Sequence, residues 1–145
     1  MTVMVSAPGG RSYTSTEART HWRDIMDASS AGIPVTISRQ DSTASAVTDA
    51  EQLRCYLSQS LSPRALTYFE NGVHALVLNQ RGFVSEGETI EEAIDDMVSQ
   101  LREYVEDWAE HFSTAPNHAD NWALVQLVSL STDEQVREWL VNGGN

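Results

Sequence analysis

The chain has 145 residues, 41% of them apolar, and a formal net charge of -12. That length suits one compact domain or two small ones, with enough apolar residues for a core. No apolar run approaches the roughly 20 residues that span a bilayer, and the single cysteine, Cys55, excludes an intramolecular disulfide and a cysteine-built zinc site.

The first eight residues, Met-Thr-Val-Met-Val-Ser-Ala-Pro, lack the basic region of a secretory signal, so the chain reads as cytoplasmic. Thr14-Ser-Thr-Glu17 has the form of a capping box and predicts a helix from about Ser15. Ala18, Trp22, Ile25 and Met26 form its apolar stripe, and Ala31-Gly32 closes it. Pro34 leads into a β-branched strand ending at Arg39, and Gln40-Asp41-Ser42 turns into a second strand over 43–48. Asp49-Ala-Glu-Gln52 opens a helix to about Ser58, and Ser58 to Pro63 reads as a linker.

Two strand-like runs follow, Ala65 to Phe69 and Val73 to Leu78, separated by Glu70-Asn71-Gly72, a tight hairpin signal. Phe83-Val84 reads as a further strand. Thr89 and Glu92 cap a helix predicted from Ile90 to Phe112, with an a/d seam of Ile90, Ile94, Met97, Leu101, Tyr104 and Trp108. Beyond it lie an apolar stretch from Trp122 to Leu130 and a short helix opened by Ser131-Thr-Asp-Glu134 and bearing Val136, Trp139, Leu140 and Val141.

Charge divides the chain. Residues 1–65 carry six arginines and six acids, whereas residues 66–145 carry three arginines and fifteen acids, and lysine is absent. A neutral half with clustered arginines beside a strongly acidic half implies two jobs and partners of opposite charge. Arg19 and Arg23 are four apart and share a helix face. Thr14 stands at a helix start suited to phosphate oxygens, and Arg11 and Arg39 flank it. The competing reading pairs these arginines with Glu17, Asp24 or Asp27 as an ordinary solvated face.

No catalytic constellation emerges, and neither an enzyme nor a cofactor is predicted. Asp107, His111, His118 and Asp120 could be drawn together as a metal site, but an acidic helix commonly carries an occasional histidine, and no metal is expected. Cys55 has no histidine near it in sequence and reads as an idle thiol.

The segments Tyr13-Thr-Ser-Thr-Glu-Ala-Arg19, Ala31-Gly-Ile-Pro-Val-Thr-Ile-Ser-Arg39, Ala46-Val47 and Asp49-Ala-Glu-Gln-Leu53 resemble, in order, the pattern of Phd/YefM antitoxins over about residues 12–60. The resemblance implies an α+β homodimerisation module that binds operator DNA and represses its own operon. It carries DNA contact over to Arg19 and Arg39, while Arg11 and Arg23 join them by proximity and helical phase and Thr14 by its hydroxyl at the helix start. Gln40-Asp41-Ser42-Thr43 stands where the family has a basic turn, and Asp41 would weaken a phosphate contact by Arg39. The segment Phe83-Val-Ser-Glu-Gly-Glu-Thr-Ile-Glu-Glu-Ala-Ile94 resembles the HicB-like fold over about residues 66–112.

The first resemblance also implies a cognate toxin, typically basic, held by a segment C-terminal to the DNA-binding module. Trp108, Trp122, Leu124, Leu127, Trp139 and Leu140 are the candidate anchors for it. The alternative gives the tryptophans to the second unit's own core. The expectation is therefore an α+β chain: a Phd/YefM-like module over 1–60, a HicB-like β-β-α unit over 65–112, and an acidic helical tail over 113–145. Its expected function is that of a type II antitoxin, a homodimer or higher oligomer that masks a toxin and represses its operon. The alternative is a dimeric protein-interaction module with an acidic docking half and no toxin partner.

Overall fold

A computed structural model describes residues 11–40 and 43–143. Asp41, with its expected effect on Arg39, and the N-terminal residues read for a signal lie outside the described residues. The fold is α+β, and the chain divides into two compact units between Leu53 and Arg54.

In the first unit β1 (Arg11–Thr14) leads into α1 (Ser15–Thr20) and α2 (Trp22–Ser30), followed by β2 (Val35–Ser38), β3 (Ser45–Val47) and the start of α3 (Ala50–Ser60). β1 pairs parallel with β2, and β2 antiparallel with β3. A parallel pair needs a crossover, and α1 with α2 supplies it. The capping box is present: the Thr14 hydroxyl accepts from the Glu17 amide and the Glu17 carboxylate accepts from the Thr14 amide, both at 3.2 Å.

Two features depart from expectation. β1 is a strand the sequence does not announce. The single helix predicted after Thr14 is broken at His21, whose φ of -112° and ψ of 23° end α1. The core then takes Ala18, Ile25, Ala28 and Val35, with Tyr13, Ile33, Ile37 and Val47 against them. Trp22 and Met26, expected in the apolar stripe, are instead 54% and 44% exposed. Gly32 follows α2 at φ +85°, a left-handed turn that glycine takes without strain.

In the second unit β4 (Ala65–Glu70), β5 (Val73–Leu78) and β6 (Phe83–Gly87) form an antiparallel sheet in that order. Asn71 and Gly72, at φ +54° and +77°, make the tight turn that their sequence signals. α4 (Ile90–Asp107) packs on β5 and β6 and buries Ala93, Met97, Val98, Leu101 and Tyr104. Ile90 and Ile94, expected in the seam, are only half-buried. The predicted helix reaches Phe112, but its last turn, Trp108–Phe112, is a π-helix in which the Ser113 amide donates to the Trp108 carbonyl at 3.0 Å.

A short 3-10 turn (Ala119–Asn121) precedes α5 (Trp122–Leu130) and α6 (Asp133–Asn142), and both helices pack on α4. The cap of α6 is Thr132, with Gln135 as its box partner, one residue after the Ser131 that the sequence suggests. Ser131 is buried and its hydroxyl donates to the Leu127 carbonyl at 2.6 Å. Among the described residues no helix is long and apolar enough to cross a membrane.

Candidate functional site

The arginines of the first unit are exposed on its short elements. Thr14 pairs with Ser38, so Arg39 leaves β2 beside the point where β1 enters α1, and Arg19 stands in the last turn of α1. Arg11 pairs with Val35 at the opposite end of the same strands. The strand pair thus places Arg39 and the start of α1 at one end and Arg11 at the other. Arg23 follows the break at His21, so it lies on α2 and not on a helix continuous with Arg19.

Two of the three carboxylates that could neutralise this set are occupied otherwise. Glu17 closes the capping box, and the Thr14 amide, followed by the Thr14 hydroxyl, holds its carboxyl below the usual carboxylate range. Asp24 faces His21 at 3.6 Å. Among the described residues no carboxylate pairs with Arg11, Arg19, Arg23 or Arg39.

The second unit uses its three C-terminal arginines internally. Arg102 donates to Asp133 at 2.8 Å and to the carbonyls of Val128 and Ser131, each at 2.7 Å. Arg137 bridges Asp95 and Glu134, both at 2.8 Å. Arg81 donates to Asn121 Oδ1 at 3.0 Å, and burial lowers its guanidinium from the ordinary value while Tyr104 acts in the opposite direction. Asp95, Asp133 and Glu134 take arginines, and the other acids of residues 66–145 have no arginine partner among the described residues. Residues 66–145 are anionic by count, fifteen acids against three arginines, and those three arginines are engaged within the unit.

Tyr104 is the centre of an aromatic and polar cluster. Its ring contacts Phe83, Trp108, Phe112 and His118. Its hydroxyl meets His118 Nδ1 and accepts from Asn121 Nδ2, both at 3.0 Å. His118 is thereby tied to a phenol, and among the described residues no group of three or more His, Cys, Asp and Glu is placed to hold a metal.

The predicted toxin anchors fall into two groups. Leu124, Leu127, Trp139 and Leu140 are buried in the second unit, and the Trp139 indole donates to the Leu61 carbonyl at 2.8 Å. The burial of Trp139 fits the alternative that gave the tryptophans to the core, and the exposure of Trp122 does not. Trp108 is half-buried beside Tyr104, and Trp122 is 55% exposed at the start of α5. The sequence reading missed a groove of about 670 Å³ lined by Ala65, Thr67, Leu76, Ile90, Ile94 and Val141, with Glu91 and Asp95 on its walls. Its one signal is the pair Ile90 and Ile94, apolar residues in the helix seam that the core leaves half-covered.

Two small sheets carried with helices, one unit presenting arginines with no carboxylate partner among the described residues and the other strongly acidic, fit a binding protein. A family model described as PHD-like, antitoxin of toxin–antitoxin, RelE/RelB, TA system, matches residues 11–142. The chain belongs to this family: it is an antitoxin of a toxin–antitoxin system, a regulatory protein and not an enzyme. Its fold is similar to a crystal structure from Syntrophomonas wolfei subsp. wolfei described as the antitoxin part of a candidate toxin/antitoxin system, with a TM-score of 0.75 and 22% identity over 89% of this chain and 95% of that one. No curated protein matches the chain.

Proposed function

We propose that this antitoxin acts in the cytoplasm by two contacts, one for each unit. The first unit, of Phd/YefM type, binds operator DNA and represses its own operon through Arg19 and Arg39, with Arg23, Arg11 and Thr14 at the margins. The second unit, whose hairpin, strand and long helix suit a HicB-like assignment, binds a basic toxin and neutralises it. The observation that carries this reading is the contrast in arginine use. Arg11, Arg19, Arg23 and Arg39 have no carboxylate partner among the described residues, whereas Arg81, Arg102 and Arg137 are all engaged.

Unpaired, exposed guanidinium groups make bidentate phosphate contacts without first breaking an internal ion pair. Homodimerisation of the first unit is supported by its small core and by Trp22 and Met26, large apolar side chains left exposed on α2. A basic toxin would be steered to the anionic second unit, which speeds encounter more than it sets affinity.

The test is a gel shift at fixed salt with the DNA upstream of the gene. Arg19→Ala and Arg39→Ala are expected to abolish the shift while the far-ultraviolet circular dichroism stays unchanged. Wild-type DNA affinity in both variants would remove the DNA-contact assignment. Rescue of growth by the intact chain, on co-expression with the product of the neighbouring reading frame, tests the toxin contact separately.

A further inference from the structure

The sheet of β4, β5 and β6 has two outer edges, and the chain treats them differently. Along β6 the Val84 carbonyl accepts from Gln100 Nε2 at 2.8 Å, and the Glu86 amide donates to Asp96 Oδ2 at 3.4 Å. These two side chains of α4 take the places a further strand would fill. Along β4 no such cover exists among the described residues. The two-residue Asn71-Gly72 turn makes Glu70 and Val73 a hydrogen-bonded pair, so Leu66, Tyr68 and Glu70 turn their backbone groups toward β5. Ala65, Thr67 and Phe69 turn theirs outward, and among the described residues nothing bonds them. An uncovered edge is a template for another strand.

We propose that the occupant is β4 of a second copy, antiparallel, with Thr67 opposite Thr67, so that one sheet runs through both copies. The strand is complementary to itself in this register. Arg64, just before β4 at φ +45°, stands next to the place opposite Glu70 at both ends, and each is exposed with no ion pair among the described residues. Leu66 falls opposite Tyr68, an aliphatic–aromatic pair of residues that are 44% and 55% exposed in the single chain.

On the face toward α4, Ala65 falls opposite Phe69, small against large. Ala65 and Thr67 line the apolar groove that continues to Leu76, Ile90 and Ile94. Phe69 is 65% exposed, and from the second copy its ring enters that groove beside Ala65, once in each direction. The outward backbone groups of Ala65, Thr67 and Phe69 are those that bond in this register. The net charge of the acidic half opposes the approach of two copies, so pairing strengthens as salt screens that charge.

The test uses the full chain with Cys55→Ser. Thr67→Cys places two thiols across the axis with Cα atoms about 5.5 Å apart, within disulfide range. Mild oxidation is expected to convert most of this chain to a disulfide dimer, while Val84→Cys on the covered β6 edge stays monomeric on a non-reducing gel. Thr67→Pro, which removes an outward amide and no bond to β5, is expected to abolish the salt-promoted rise in mass seen by light scattering and to leave the circular dichroism unchanged. Crosslinking of Thr67→Cys no faster than of Val84→Cys overturns the proposal, whatever Thr67→Pro does to the fold. So does loss of toxin co-purification in Thr67→Pro without such crosslinking, which would give the edge to the toxin. Growth rescue by the wild-type chain reads the antitoxin function independently of either result.

Discussion

Arg102 on α4 donates to Asp133 at 2.8 Å, and the same guanidinium reaches the carbonyls of Val128 and Ser131. One side chain therefore ties the long helix to the end of α5 and the start of α6. Removing it takes that donor from the Ser131 carbonyl and the Asp133 carboxylate, and leaves the Val128 carbonyl with the Ser131 amide at 3.2 Å. Arg102→Ala is expected to lower stability by roughly 2–4 kcal/mol, because bonds to a charged donor are worth more than neutral ones. Arg102→Lys should recover only part of this, since a point charge cannot serve three acceptors in a planar fork. Urea unfolding followed by tryptophan fluorescence measures both.

The turn between α5 and α6 separates two hydroxyls that look interchangeable in sequence. Thr132 caps α6 by accepting from the Gln135 amide at 3.1 Å, while Ser131 bonds backward to Leu127. Thr132→Ala is expected to cost about 1 kcal/mol, the usual loss for an N-cap. Ser131→Ala removes the hydroxyl bond to the Leu127 carbonyl in the last turn of α5, so its cost falls on the end of α5 and the start of α6 stays capped. Hydrogen exchange of the Gln135 amide in the two variants, with thermal unfolding alongside, decides which residue is the cap: it quickens in Thr132→Ala and not in Ser131→Ala.

These two hydroxyls also show where sequence reading stops. Caps are legible to within a residue because the S/T-x-x-E/Q pattern recurs at neighbouring offsets, and only backbone geometry chooses between them. The β4–β5 register was legible through Asn71-Gly72, a local signal with one good solution. β1 was not, because Arg11-Ser-Tyr-Thr14 has no apolar alternation and is held by a parallel partner more than twenty residues away. The break at His21 was hidden for a related reason. Ala18, Trp22 and Ile25 fit one continuous helix by spacing, and packing of Ile25 and Ala28 against Val35 overrides that phase. The candidate site was legible as a charge contrast, since arginine positions are read directly. The partners of those arginines were not, because the ion pairs of Arg102 and Arg137 to Asp133 and Asp95 span 31 and 42 residues of sequence.

Glu17 offers a pH test within the first unit. Its carboxyl is lower in the folded chain than in an unfolded one, because the Thr14 amide and hydroxyl favour the ionised form. A depressed carboxyl contributes stability that is full above its unfolded value and is lost as pH falls through its folded value. The start of α1 should therefore loosen on acidification through the region below the usual carboxylate range. Nuclear magnetic resonance titration of the Glu17 side chain should give a midpoint below that of an unstructured glutamate. Glu17→Gln should remove this pH dependence from the Thr14 amide signal.

Trp122 and Trp139 separate the proposed toxin surface from the core of the second unit. Trp139 is 4% exposed and its indole bonds to Leu61, so Trp139→Ala is expected to cost roughly 3–5 kcal/mol of stability, the range for emptying a buried aromatic site. Any loss of toxin binding in that variant follows from loss of fold. Trp122 is more than half exposed, and Trp122→Ala should change stability by no more than about 0.5 kcal/mol. If Trp122 is an anchor for the toxin, the same variant weakens the complex about tenfold or more, since aromatic anchors carry a large share of interface energy. Calorimetric titration of the toxin into both proteins, with each melting curve alongside, distinguishes the two roles. Wild-type affinity in a well-folded Trp122→Ala protein would move the toxin contact away from the start of α5.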